Sequence, residues 1–358
     1  MKIDIGMLNE NRKFFGMSQE QFSAVIDAAE CANQSPLAQK ILDRSVAELK
    51  NDADLQSDFA DIYNGAPGMQ VVLSLLVHFP ALKDKYSAYG IPDNVLIDTV
   101  SDIPIWMNHC MRFTGKWGMV DIGWLKNHFS FQLFRLGRIQ FKAAPSAINA
   151  RVYKSGTGSV IALAPEGMKY NALGEADGTN GVFDESAWTA SVTETEDSIS
   201  GYPILRNGLA QRACVTLKKS DWSIALLPGD SILEMHIPEG EPLNPQAVRQ
   251  SIEIAPAFYN EYLNVSGIKA FTCISWLLDW AFAEMRSGSN IAAFHKMMYC
   301  VPAVDDDSAM HERVFGYHID NWCQAPTDTA LRRAVKDWYT QSRLCRGAQG
   351  FILLNGDA

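Results

Sequence analysis

Apolar residues in the first third of the chain recur every three or four positions, the spacing of one helix face. Ser18-Gln-Glu-Gln21 reads as a capping box, and Phe22, Val25, Ile26 and Ala29 follow it at helical spacing. Pro36 sits where a first-turn proline is tolerated, and Leu37, Ile41, Val46 and Leu49 mark a second helix. Segments 52–63, 69–77 and 81–89 read as further helices, with Pro80 as a boundary and Gly90 as a stop. After Pro92 the pattern continues through Val95, Leu96, Val100, Ile103 and Ile105.

The period changes near Ser130. Arg138-Ile-Gln-Phe-Lys142 alternates polar and apolar residues, as a half-buried strand does, and segments 149–154 and 159–164 flank a Gly156/Gly158 hairpin turn. Segments 188–194, 204–207, 212–217 and 222–226 are further strands. From there the order becomes strand 232–237, helix 245–262, strand 269–278, helix 280–299, strand 312–319, helix 328–343 and strand 350–354. The pattern predicts an α+β protein, with a helical domain over residues 1–128 and a domain built on a partly parallel sheet over 129–358. Ligands of such sheets bind at the carboxyl ends of the strands.

Composition narrows the function classes. With 358 residues and 47% hydrophobic content the chain has material for two cores, and a net charge of −10 disfavours nucleic acid and anionic membranes as partners. The first sixteen residues carry charges throughout and lack the apolar core of a signal peptide, and no uncharged apolar run approaches membrane-spanning length, so a cytoplasmic protein is expected. The seven cysteines include no C-x-x-C pair, and no nucleotide-loop or metal-protease motif occurs, so no metal site is expected. Asp305-Asp-Asp307 reads as a solvated acidic turn, and His311 and His318 do not make a ligand pair by their spacing.

Candidate chemistry concentrates on 232–237. Alternation puts Glu234 and His236 on one face of that strand, opposite Leu233, Met235 and Ile237. A carboxylate and an imidazole on an apolar strand are costly unless hydrogen-bonded or lining a cavity, and either suits a general base. A structural role, with both satisfied by local backbone, is the competing reading. Pro238-Glu-Gly-Glu-Pro242 is a stiff loop centred on Gly240, and after Leu243 the pair Asn244-Pro245 caps and opens a helix whose N–H groups could hold a pyrophosphate. On the next strand, Cys273 and Ser275 share a face and could serve as nucleophiles beside His236. Ser289 or Asn290 would cap a reset helix, a place where a cofactor tail could also touch.

Several stretches carry a family resemblance. They are Gly90-Ile-Pro-Asp93, Arg112-Phe-Thr-Gly-Lys-Trp-Gly118, Leu133-Phe-Arg-Leu-Gly-Arg-Ile-Gln-Phe141, Leu233-Glu-Met-His-Ile-Pro238, Cys273-Ile-Ser-Trp-Leu-Leu-Asp279, Ser289-Asn-Ile291, Arg313-Val-Phe-Gly316 and Pro326-Thr-Asp-Thr-Ala-Leu331. Together they resemble the bacterial two-domain acyltransferase-domain family, a helical N-acyltransferase N-terminal domain followed by a GNAT-like domain. The resemblance implies that 232–237 is the fourth strand and 270–278 the fifth, splayed so that the pantetheine of an acyl-CoA co-substrate inserts between them. It implies that backbone groups from Ile237 through Gly240, Leu243 and Asn244 receive the thioester and pyrophosphate. His236 with Glu234 would then deprotonate a small-molecule amine or hydroxyl acceptor. The family's usual phosphate loop is replaced by Pro238-Glu-Gly-Glu-Pro-Leu-Asn244, whose two acids would repel a pyrophosphate unless they point away. A non-catalytic binding or scaffold protein, and a hydrolase using Cys273 or Ser275, are the alternatives. The aromatic pair Trp106 and Trp117 is a candidate wall of the acceptor site. The sequence is silent on oligomeric state.

Overall fold

The structure, a computed structural model, describes residues 1–50, 63, 65–120 and 123–354. The chain forms two compact units, one of residues Met1–Lys142, His236–Glu241 and Val248–Ser266, the other of Ala143–Met235, Pro242–Ala247 and Gly267–Ala358. None of the described helices is long and apolar enough to cross a membrane.

In the first unit come α1 (Ile5–Phe15), α2 (Gln19–Gln34), α3 (Pro36–Lys50), α4 (Met69–Ala88), α5 (Asp93–Val100), α6 (Asp102–Thr114) and a short α7 (Lys126–Phe129). α2 starts on the predicted capping box, with Ser18 Oγ accepting from Gln21 N and Gln21 Oε1 from Ser18 N. α1 is an addition to the sequence reading, although its signals are present: Asp4 accepts from Met7 N and Gly16 closes it at φ 63°. α4 runs through Pro80, where a boundary was expected. Burial of Val71, Val72, Leu75, Leu76 and Phe79 outweighs the one helical bond a proline removes. The predicted helix at 52–62 lies outside the described residues. The strands β1 (Leu133–Leu136) and β2 (Ile139–Pro145) close this stretch as an antiparallel hairpin, Leu136 opposite Ile139. Gly137, at φ 71°, supplies the positive φ that a two-residue hairpin turn needs.

The second unit opens with short strands, β3 (Arg151–Ser155), β4 (Val160–Leu163), β5 (Lys169–Tyr170), β6 (Trp188–Thr189), β7 (Thr193–Glu194), β8 (Ser198–Gly201), β9 (Pro203–Ile204), β10 (Val215–Lys218) and β11 (Trp222–Leu226). β3 and β4 form the hairpin that the glycine turn predicts. The expected strand 188–194 is two strands in different sheets, β6 pairing with β5 and β7 with β8.

The functional half follows: β12 (Ser231–His236), α8 (Pro245–Leu263), β13 (Ala270–Ser275), α9 (Trp280–Met285), α10 (Asn290–Met297), β14 (Tyr299–Pro302), α11 (Ser308–Phe315), α12 (Ala330–Thr340) and β15 (Ala348–Leu353). β12 and β13 are parallel, and β15 runs antiparallel to both β13 and β14. Three expectations change here. The strand predicted over 269–278 stops at Ser275 and turns into a 3-10 helix, Trp276–Leu278. The helix predicted over 280–299 is α9 plus α10, followed by β14. The strand predicted over 312–319 is instead α11, because Met310, His311, Val314 and Phe315 are buried at helical spacing and Gly316, at φ 85°, stops it. The core on one side of these strands gathers Val152, Ala162, Ile232, Ala270, Val301 and Phe351, and a second cluster joins Phe282, Phe315, Val335 and Trp338.

Asp279 caps α9, accepting from Ala281 N at 3.0 Å, and its other oxygen accepts from Arg346 N at 2.5 Å. Burial pushes this carboxyl up to about 7, against the two backbone N–H groups, with Glu175 adding to the rise. An unfolded aspartate ionises near pH 4, so between about pH 4 and 7 the unfolded chain releases a proton that the folded one keeps. The contribution of Asp279 to stability is therefore full below that window and is lost as pH rises through it. Asp279→Asn keeps the helix cap and loses one acceptor, so it should be less stable than wild type at about pH 4, with the difference closing toward pH 8. Urea midpoints measured across that range check this; a constant difference would contradict it.

Candidate functional site

β12 and β13 are held together by only three residue pairs, Ile232 with Ala270, Leu233 with Phe271 and Glu234 with Thr272. Both strands run on, to His236 and Ser275, without further pairing to each other among the described residues. Paired residues of parallel strands face the same side of the sheet, so Glu234 shares its face with Thr272, and with Ile274 by alternation. His236 follows on the Glu234 face of its own strand. Cys273 and Ser275 lie on the other face, that of Leu233 and Phe271.

His236 ends β12 with its ring against Trp124, 4.7 Å between centroids. The Trp124 indole N–H donates to Asp102 Oδ2 at 2.9 Å, and His128 Nε2 lies 3.1 Å from the same oxygen. His128 and Asp102 are buried, 0% and 1% exposed. A carboxylate only accepts, so Nε2 of His128 carries the proton that faces it. Burial would raise the Asp102 carboxyl, but hydrogen bonds and charge from His128, with Gln140 and Trp124, hold it below the ordinary range. Gln140 on β2 completes the cluster through its side-chain hydrogen bond to Asp102. The helix α6 begins at Asp102, α7 carries His128, and the turn before α7 carries Trp124. A chain of three side chains thus fixes the ring on which His236 rests.

The loop after β12 answers the question its acids pose. Glu239 is held by Arg112 and lies 3.2 Å from His109 Nδ1, both on α6. Glu241 accepts from Arg135 Nη2 at 3.1 Å, and Arg138 Nη2 donates to the Glu241 carbonyl at 2.7 Å. Each acid therefore faces a guanidinium rather than standing as a bare negative charge. Desolvation, then the neighbouring Arg135, lowers the Arg138 guanidinium below its ordinary value, against the pull of Glu241. Gly240 is exposed at φ 102°. A side chain there would have room but a strained backbone. Leu243 is buried, so only its backbone is on offer to a ligand, and Asn244 Oδ1 caps α8, accepting from Gln246 N at 2.9 Å and Ala247 N at 3.3 Å.

The remaining predicted residues are placed as follows. Cys273 is buried and burial, then Glu234, pushes its thiol up to about 12, so it stays protonated. Ser275 Oγ accepts from Leu277 N at 3.1 Å and caps the 3-10 turn. Ser289 caps α10, and Asn290, its first residue, is exposed. Trp106 is buried against His109, and Trp117 lines a cavity of about 260 Å³ with Asp27, Met111 and Lys116. Sequence reasoning missed Trp124, Asp102 and His128. Their signal was weak, a tryptophan in a short turn and two polar residues on helix faces otherwise buried. Among the described residues no group of three His, Cys, Asp or Glu side chains is placed to hold a metal ion.

Residues 133–352 match the family model described as GNAT-like C-terminal domain, and residues 8–131 that of the N-acyltransferase N-terminal domain. No curated protein matches the chain. Among solved structures, the fold is shared with an acyltransferase crystallised with decanoyl-CoA and teicoplanin, at 19% identity and a TM-score of 0.65 over 97% of this chain and 87% of that one. It is shared as well with an acyltransferase in complex with CoA and 10C-teicoplanin, at 18% identity and a TM-score of 0.66 over 99% and 90% of the two chains. An acyltransferase in complex with decanoyl-CoA gives the same four values.

Removing the shared acceptor of buried N–H donors strands those donors. Asp102→Ala leaves His128 and the Trp124 N–H facing no acceptor, and should cost about 3–5 kcal/mol in urea unfolding. A loss below about 1 kcal/mol, the scale of an exposed pair, would show that Asp102 does not organise this cluster.

Proposed function

We propose that this chain, which belongs to the GNAT-like C-terminal domain family and carries an N-acyltransferase N-terminal domain, transfers an acyl group from an acyl-CoA to an amine or hydroxyl acceptor. The observation that carries the reading is the end of β12–β13 pairing at Glu234 and Thr272. An extended pantetheine fits between two strands that stop bonding to each other, and its amides can use strand edges as a peptide would. Ile274, on the Glu234 face and 59% exposed, offers the acyl portion an apolar surface to cover. The neighbouring solved acyltransferases were crystallised with decanoyl-CoA or CoA, which supports this choice of donor.

In this reading the acceptor nitrogen or oxygen attacks the thioester carbonyl directly. His236 takes the proton the nucleophile gives up, an imidazole being suited to that work near neutral pH, and Glu234 lies two residues before it on the same face. The carbon–sulfur bond breaks and the CoA thiolate leaves, to be protonated in turn. The backbone N–H of Ile237, the residue after β12, would polarise the carbonyl. No enzyme nucleophile is required, consistent with the protonated, buried Cys273 and the capping role of Ser275. Trp124 acts through His236 by fixing its ring, and a base held in place gains its effect from proximity.

Calorimetry with acetyl-, octanoyl- and decanoyl-CoA tests the donor: absence of binding at every chain length would end this reading. With a panel of primary amines and thiol release as the readout, His236→Ala should lower kcat by about 10²- to 10⁴-fold, with acyl-CoA binding retained. An unchanged rate in that variant would take the base role away from His236. Cys273→Ala should leave turnover within about twofold of wild type, since covalent catalysis would instead make it indispensable.

A further inference from the structure

Acyl transfer from the β12–β13 gap leaves one feature of the second unit unused. An open cavity of about 730 Å³ is lined by the segment that leaves the carboxyl end of β14. β14 is antiparallel to β15 and β15 to β13, so β12, β13 and β14 all point the same way, and this segment lies at the same edge of the sheet as the gap. With β15 between β13 and β14 and strands about 4.8 Å apart, β14 lies roughly 10 Å from β13.

Two stacked pairs of rings form part of its wall. Trp322 lies on Tyr339 at 3.9 Å between centroids, and His318 on His311 at 4.3 Å. The histidines stack because α11 stands where a strand was expected, and the chain turns back after Gly316 to bring His318 over His311. Tyr339 and His311 are held by hydrogen bonds. The Tyr339 hydroxyl donates to Asp307 Oδ2 at 2.5 Å, His311 Nε2 is 3.4 Å from the same oxygen, and Ile319 N donates to His311 Nδ1 at 2.9 Å. That last bond sets the His311 tautomer, with its proton on Nε2 toward Asp307. Asp307 N in turn donates to Asn180 Oδ1 at 2.9 Å, tying the opposite wall to this one. Asp305 and Asp306 stand exposed at the rim. Among the described lining residues there are three aspartates and no lysine or arginine. In the turn of the wall itself, Thr179 Oγ1 is buried without a hydrogen-bond partner.

Carboxylates beside preformed aromatic faces attract organic cations and repel phosphates. The CoA moiety is thus excluded from this cavity. We propose that the cavity is a subsite for the acceptor, holding an ammonium group attached to a flat or aromatic body. Acceptor identity rests on the acyltransferase reading; the preference for an aromatic cation does not. An ammonium held by carboxylates is protonated and cannot attack a thioester, and the cavity's edge strand is roughly 10 Å from β13. The nitrogen held here is therefore distinct from the group acylated, and the acceptor is a molecule long enough to carry both.

Phenethylamine is the probe, with phenylacetate as the anion of the same shape and decanoyl-CoA titrated separately. Wild-type protein should bind phenethylamine at millimolar concentration and discriminate against phenylacetate by at least about tenfold. The Asp305→Asn/Asp306→Asn double variant, altered only at exposed positions, should weaken phenethylamine about tenfold and leave decanoyl-CoA unaffected. Trp322→Leu should weaken it comparably, with a thermal melt confirming the fold. Phenylacetate bound as tightly as phenethylamine, no phenethylamine binding while decanoyl-CoA binds, or an unchanged affinity in the double variant would each overturn the proposal. Phenethylamine bound without any binding of decanoyl-CoA would instead sink the acyltransferase reading and sustain the cavity's selectivity.

Discussion

Three residue pairs hold β12 to β13, and the place where the third one ends governs the geometry beyond it. Main-chain N–H and C=O groups are obligatory bonding groups, so two adjacent strands do not part without something else to occupy the edges. Parting after Glu234 and Thr272 means that the last residues of β12 and β13 no longer bond to each other at the carboxyl edge, while Cys273, Ile274 and Ser275 still pair with β15. The period of two then decides what is displayed. Glu234, His236, Thr272 and Ile274 fall on one side, and Cys273 and Ser275 on the other, where the thiol is buried and the hydroxyl is committed to a turn. One register fact separates a base-assisted reading from a covalent one.

The chain passes from the second unit to the first between Met235 and His236, so the imidazole is supported by side chains of the helical stretch. Asp102, His128 and Trp124 are a costly way to hold one ring. A buried carboxylate and imidazole together repay their desolvation only when both are well bonded, and hydrophobic replacements of such pairs are often at least as stable. Their presence directly behind Trp124 is more economically explained by orientation than by stability, because an apolar filling could pack the space but could not fix the indole N–H.

Much of this was legible in the sequence where local chemistry dictates the outcome. The Ser18 box, Pro36, Asn244-Pro245 and Ser289 all mark helix starts that form as written, since a cap depends on residues a few positions apart. Glu234 and His236 were readable by alternation. What escaped were long-range relations. Nothing local says that Glu239 meets Arg112 or that Glu241 meets Arg135, so the loop's acids looked like bare charges. The stretch 312–319 was misread as a strand because a short apolar run is compatible with either period, and the arbiter was the burial of His311 and Phe315 with Met310 and Val314. That misreading concealed the stacked histidines too.

Net charge is a poor guide to what such a protein can hold, and the reason lies in distance. Screening confines an exposed charge to about 8–10 Å at physiological ionic strength, so a ligand senses the few groups beside it rather than the sum of −10. Near the loop after β12 those groups are three guanidinium groups and two carboxylates, Arg112 facing Glu239, Arg135 facing Glu241, and Arg138 donating to the Glu241 main-chain carbonyl, so the surroundings there are not acidic. Around the segment after β14 they are Asp305, Asp306 and Asp307, with no lysine or arginine among the described lining residues. A polyanionic donor and a cationic acceptor placed by this difference would be sorted before any contact with the base, each being repelled or left unattracted by the other's surroundings. The acidic composition that argues against phosphate binding for the whole chain therefore does not decide what either surface holds.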